Sequence, residues 1–276
     1  MFFSSSRVAF LFAVTCSCLI SGSFWSAPTV SAQSEKKVKY KLPENANEVI
    51  FVYDEQNGFT PPRKNNAPVL LIRANGIIEM PSLYGKGRDI KGKISAEDLQ
   101  AFLHFVIAEN KFIDFDASTV QGQIEDIRKK RQVPQIADAP DTIVELKIPG
   151  YSQSVRQAAV GMPSEFKEVT AFQQLLTIRK RIGRLMSETR VGGKLGIEKL
   201  LGPINKQLNT EYPDVAPLRV SEFSGAYVRQ DGTVSATISR PGRDSEGKPN
   251  GTYVNATAVV SSDSEEPVVT LRVKLK

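Results

Sequence analysis

Cysteine, histidine and tryptophan are nearly missing from this chain. Among 276 residues there are two Cys (Cys16 and Cys18), one His (His104) and one Trp (Trp25). Both Cys and the Trp fall in the first 32 residues, which have the pattern of an export signal. Its removal leaves 244 residues with no thiol and one imidazole. That excludes cysteine nucleophiles, disulfides, Cys-ligated zinc, iron–sulfur clusters and multi-His metal sites. A strong charge imbalance is missing too. Lys+Arg total 36 against 30 Asp+Glu, and loss of Arg7 with the signal lowers the net charge from +6 to +5. No segment after the signal is long and apolar enough to span a bilayer.

What is present is an ordinary globular composition, 41% hydrophobic and 24% charged, unlike that of a disordered chain. The start, Met1-Phe2-Phe3-Ser4-Ser5-Ser6-Arg7, precedes an apolar run from Val8 to about Ile20 and ends in Val30-Ser31-Ala32. A basic beginning, a short apolar middle and small residues at the end predict a secretory signal over 1–32, cleaved before Gln33. The other reading of this segment is a retained membrane anchor. Residues 33–46, with Lys36, Lys37, Lys39 and Lys41, predict a flexible basic tether. It is either a solvated tail or a segment drawn to an anionic envelope surface.

The apolar spacing then predicts strands over 48–53, 69–73 and 77–80. Asn75-Gly76 turns the second into the third, because both residues accept positive φ. Residues 81–94 read as a polar, Gly-rich connection. Ser95, with Glu97 and Asp98 behind it, predicts a helix start. The stripe Leu99, Phe102, Leu103 and Val106 carries that helix to about Asn110. A charged helix is expected over 119–131, strands over 142–148 and 152–157, and a longer helix from Pro163 to about Ser187. Gly192-Gly193 is the clearest internal break. The next helix, 195–209, should kink or split at Gly202-Pro203. Strands follow at 218–220 (or on to 229), 233–239, 252–260 and 268–275, with an Asp231-Gly232 hairpin signal. The expected fold class is α+β: an N-terminal antiparallel sheet packed with two or three helices, then a helix plus a three- to four-stranded antiparallel meander. The domains would be 47–189 and 194–276, or one continuous domain over 47–276.

Several residues in this order carry a resemblance. They are Tyr53-Asp54 followed by Gly58-Phe59, then Pro68-Val69-Leu70-Leu71-Ile72 with Asn75-Gly76, then Asp138-Ala139-Pro140-Asp141-Thr142 and Gly150. On these, the stretch from about Val49 to Leu185 resembles a class of exported bacterial proteins of unknown function. The resemblance implies a fold and no activity. The C-terminal helix and meander are similar in layout to cystatin-like α+β folds. No Gln-x-Val-x-Gly inhibitory loop is present, so protease inhibition is not implied.

Candidate chemistry is sparse. Gly87-Arg88-Asp89-Ile90-Lys91-Gly92-Lys93 matches the G-x-x-x-x-G-K part of a phosphate loop. Ile94 stands where a Ser or Thr should hold magnesium, so the segment reads as a mobile basic loop and no nucleotide is expected. His104 falls on the wet side of its helix, away from the apolar stripe, where a general base has no cleft. No Gly-x-Ser-x-Gly elbow exists. Carboxylate pairs for acid–base hydrolysis are Asp114 with Asp116, Glu125 with Asp126, and Asp138 with Asp141. Asp244, Glu246, Asp263, Glu265 and Glu266 lie in two loops without the spacing of a calcium motif. Asn250-Gly251-Thr252 and Asn255-Ala256-Thr257 are glycosylation sequons. The basic groups 128–131 and 179–184 would bind an anionic polymer if they shared a surface. They lack the interleaved aromatics of nucleic-acid binders, so nucleic acid is not an expected partner.

On this reading no catalytic, cofactor-binding or metal-ligating residue is assigned. The expected function is that of an exported, periplasmic or secreted, non-enzymatic binding or interaction protein of the cell envelope. Its partner, a protein or an envelope polymer, would meet an exposed strand edge or the basic helix ends. The alternative is a carboxylate-dependent hydrolase acting on an envelope polymer.

Overall fold

A computed structural model describes residues 38–58, 63–82, 89–133, 139–158, 160, 166–243, 249–261 and 266–274. The expected signal, Pro61-Pro62 and Asp138 lie outside these residues. Four α-helices and two antiparallel sheets make the described chain α+β.

Of the expected tether over 33–46, residues 38–46 are described, and they depart from a free tail at Tyr40. Tyr40 is only 5% exposed. Its N–H donates to Gln100 Oε1 (2.7 Å), and Gln100 Nε2 donates back to the Tyr40 carbonyl (3.0 Å). The ring meets Tyr151 edge-on at 5.5 Å. One aromatic among the lysines therefore docks this part of the segment, because burying its ring outweighs ordering a few polar residues.

Strand β1 (Val49–Gln56) is central in the first sheet. A bulge between Val49 and Phe51 turns both Ile50 and Phe51 inward, which explains two adjacent buried residues in one strand. Next come β2 (Leu70–Arg73) and β3 (Ile77–Met80), joined by the turn at Asn75-Gly76. Strand β4 (Ile90–Lys93) follows and pairs with β3. It lies inside the expected 81–94 connection. Sequence reasoning missed it because a strand of Ile, Lys, Gly and Lys has little β-propensity and one bulky apolar residue.

Helix α1 (Ala96–His104) starts where expected, with the Ser95 hydroxyl accepting from Asp98 N–H (3.0 Å). The chain then widens into a π-helical stretch, Phe105–Glu109, closed by Asn110 N–H on the Phe105 carbonyl (3.1 Å). Helix α2 (Ala117–Arg131) is capped by Asp116. Strands β5 (Asp141–Ile148) and β6 (Tyr151–Ala158) form a hairpin, and β5 lies on the other side of β1 from β2. The resulting order is β4-β3-β2-β1-β5-β6.

Helix α3 (Thr170–Arg190) begins later and ends later than expected. Phe166 and Val169 belong to the apolar stripe but sit in a turn, with Val169 N–H bonded to the Phe166 carbonyl (3.2 Å). Phe166 packs edge-on against Phe172 at 5.4 Å. Helix α3 completes the first core, which runs from Tyr40 to Met186.

Gly192 (φ 85°) and Gly193 (φ 72°) turn the chain sharply into α4 (Gly193–Glu211). A Cβ at Gly196 would lie 1.5 Å from the Val191 carbonyl oxygen, so only glycine permits this corner. Helix α4 runs unbroken through Pro203, contrary to the expected kink or split. Gly202 before it has no Cβ to clash with the proline ring, which removes the usual penalty on the preceding residue.

The expected strand at 218–220 (or on to 229) begins only at Phe223, after a short turn at Val220–Glu222. The second sheet follows it as β7 (Phe223–Val228), β8 (Val234–Arg243), β9 (Pro249–Val260) and β10 (Val268–Lys274), in the order β10-β9-β8-β7. Ala226, Ala236, Ala256 and Ala258 line its inner face and leave room for Ile197, Leu200, Leu201, Ile204 and Leu208 of α4. The end of α3 holds the β7 edge: Arg190 Nη1 donates to the Ala226 carbonyl (2.8 Å), and the Ser187 hydroxyl, shared with the Gly183 carbonyl (2.9 Å), lies 3.3 Å from it.

Candidate functional site

A cleft of about 600 Å³ lies where β4, the start of α1, the second half of α3 and the start of α4 meet. Gly92 sets its floor. A Cβ there would come within 2.6 Å of Thr189 Cγ2, so β4 approaches α3 closely only because residue 92 is glycine.

Strand β4 is the edge of its sheet. Ile94 N–H bonds to the Gly76 carbonyl (3.0 Å), and Gly92 stands opposite Ile78. In an antiparallel pair the alternate residues turn their peptide groups the other way. The N–H and C=O groups of Lys91 and Lys93 therefore face away from β3, along the outer edge of the described sheet.

The lining includes Lys91, Lys93, Arg181, Arg184 and Lys194 against two acids, Asp98 and Glu188. Both acids are engaged locally. Asp98 Oδ2 accepts from the Ser95 hydroxyl (2.7 Å), and Glu188 Oε1 accepts from Arg184 Nε (2.8 Å). Lys91 lies 3.7 Å from Glu79, which already holds Arg73 in a two-point pair. The Arg73 bonds, first, hold the Glu79 carboxyl below its usual range. Among the described residues no carboxylate pairs with Lys93, Arg181 or Lys194. No side chain caps α4, so the positive end of its dipole adds to the field of the cleft.

The expected candidates go elsewhere. Gly87 and Arg88 lie outside the described residues, and Asp89 accepts from Ser82 N–H (3.0 Å). The rest of the phosphate-loop match is the extended strand β4, which does not curl around a phosphate, so the expected mobile basic loop is corrected to a sheet edge. His104 is half-buried, its side chain 43% exposed. Its Nδ1 lies 3.4 Å from the Tyr40 hydroxyl and its Nε2 4.0 Å from Glu109, so it packs against the docked segment and lies outside the cleft.

Asp114 and Asp116 do share a shallow hollow of about 290 Å³ with Glu168. Asp116 is the cap of α2. It accepts from the Thr119 and Ser118 hydroxyls (2.7 Å each) and from both N–H groups. The Thr119 hydroxyl, first, and then Ser118 hold it ionised, down to about 2, which is the wrong direction for a proton donor. Glu168 pairs with Arg131. Glu125 and Asp126 are exposed on α2, and Asp141 takes Asn57 (2.9 Å) and Arg156 (3.3 Å). Of the acidic-loop residues only Glu266 is described, and it is exposed. Asn250 and Asn255 lie in β9. Among the described residues no cluster of three or more His, Cys, Asp or Glu suits a metal ion, and no helix is long and apolar enough to cross a membrane.

The two basic groups have different destinations. Arg128 stacks over the Phe166 ring at 5.5 Å and Arg131 pairs with Glu168. Arg179 donates twice to Glu55 (3.0 and 2.8 Å), which also accepts from the Tyr53 hydroxyl. Burial, first, and the Glu55 charge push the Tyr53 phenol upward and keep it neutral. Beside it the buried Asp54 pairs with Arg63. Only Arg181 and Arg184 reach the cleft. Sequence reasoning singled out these two within a basic run, but it missed Lys194 and the β4 edge that joins them.

No family model matches this chain, and no curated protein or solved structure matches it.

Proposed function

We propose that this chain is an exported binding protein of the cell envelope or periplasm. Its β4 edge takes an extended acidic segment of a partner protein. The observation that carries this is a coincidence of two features in one cleft. The outward peptide groups of Lys91 and Lys93 offer a strand-pairing template, and Arg181, Arg184 and Lys194 stand beside it. A polypeptide added at a sheet edge gains main-chain hydrogen bonds, while charges beside the edge select its side chains. The finer layout belongs to the same proposal: domains over 47–189 and 194–276, the second arranged like cystatin-like folds, with the cleft near their junction.

The test is a fluorescence anisotropy titration with a fluorescein-labelled peptide of alternating Glu and Val. Saturable binding should weaken as salt rises from about 50 to about 300 mM. Reversing both Arg181→Glu and Arg184→Glu should weaken it by about tenfold or more. An affinity indifferent to salt and to both substitutions, or no saturable binding, defeats the proposal. Mass spectrometry of the protein from a fractionated cell tests export, with a mature start at Gln33 as the expected result.

A further inference from the structure

The outer edge of β10 stands apart from this cleft, and the inference from it does not depend on peptide binding at β4. We propose that two copies of this chain pair through β10, antiparallel about a twofold axis at Leu271, so that two four-stranded sheets become one continuous sheet.

Edges of natural sheets are blunted by shortness, bulges, proline or charges turned inward. Among the described residues β10 has no bulge, no proline inside it and no charge turned inward, although Pro267 precedes it and Arg272 and Lys274 lie on it. It pairs with β9 without a bulge from Val268 to Lys274, and its charges, Arg272 and Lys274, are exposed on the face away from α4. The opposite edge, β7, is held by Arg190. Among the described residues β10 is thus the edge of this sheet without such a hold, and pairing through it closes at two.

The apolar side of β10 is unfinished. Val269, Leu271 and Val273 are half-buried, whereas their β9 partners Ala258, Ala256 and Val254 are buried. A second β10 in the stated register sets Val269 against Val273 and Leu271 against its own copy, which extends this apolar row across the axis.

The charges agree with the same register. Thr270 falls opposite Arg272, and Val268 opposite Lys274, so no like charges face each other. Moving the axis to residue 272 sets Arg272 against Arg272 and costs electrostatic energy. This self-complementarity favours a second copy over an unrelated partner.

The experiment is sedimentation equilibrium of the purified protein over about 1–200 µM, the range suited to a small interface. A reversible monomer–dimer equilibrium is expected. Thr270 is exposed on the open face, so T270E and T270R should both fold, as circular dichroism will check. Each new pair occurs twice across the axis. T270E faces Arg272 and should tighten the dimer by about two- to thirtyfold, and T270R should weaken it by a similar factor. V268E and V268K, facing Lys274, repeat the measurement if either Thr270 variant misfolds. A monomer at every concentration overturns the proposal. So does a dimer that both charge variants shift in the same direction, or that neither shifts.

Discussion

At the scale of single residues, Gly92 controls how closely β4 lies against α3. Its missing Cβ is replaced in space by the Thr189 methyl, whose hydroxyl is anchored on the Leu185 carbonyl at 2.8 Å. Gly92→Ala should therefore cost about 1–3 kcal/mol by overpacking. Thr189→Ser removes the methyl and keeps the anchor, so the double variant should recover most of that loss. Urea denaturation of the four proteins in the cycle measures the coupling. Additive effects would show that the contact does not set the spacing. Such pairings are illegible in a linear sequence, because residues 92 and 189 meet only once sheet and helix have packed. Tyr40 is a similar case. Among lysines it looked like part of a tail, and only the presence of Gln100 and Tyr151 makes it a core residue.

At the scale of elements, helix α2 shows how a local motif produces a pH response. The Asp116 carboxyl, ordinarily near 3.8, is drawn down to about 2 by the hydroxyl and amide donors of Thr119 and Ser118. A folded-state value below the unfolded one means that the ionised cap stabilises the fold fully above about pH 4. That contribution is lost as pH falls toward about 2. Asp116→Asn keeps a cap without a charge. The melting-temperature difference between the native protein and this variant should hold steady above about pH 4 and change between about 4 and 2. A difference that stays constant through that window would falsify the assignment. Most elements were legible because they carry such local signals: Ser95 before α1, Asn75-Gly76 between β2 and β3, alternation in β10. The exceptions have physical causes. Strand β4 is short and polar, and its pairing comes entirely from β3. Helix α3 begins late because Phe166 and Val169 satisfy the apolar stripe from a turn. Helix α4 tolerates Pro203 because Gly202 precedes it.

At the scale of the whole molecule, the two hydrophobic cores meet through the corner between α3 and α4. Gly196 lies against the Val191 carbonyl there, with no space for another atom. Gly196→Ala should force the corner open and cost about 3 kcal/mol or more, since the obstruction is backbone and cannot rotate away. Chemical denaturation gives the number, and the same variant should lose the acidic-peptide binding proposed for the cleft. A change under about 0.5 kcal/mol would mean that the corner is not constrained as described.

The amino-acid sequence by itself determined the α+β class and most element positions, because periodicity and capping act over a few neighbouring residues. Tertiary structure alone decided where the charges went. Arg128 and Arg131 were drawn to Phe166 and Glu168, Arg179 to Glu55, Arg184 to Glu188, and Arg181 to the cleft that β4 also lines. A charge acts on whatever lies within a few ångströms of it, and for residues far apart in the chain that neighbourhood exists only after folding.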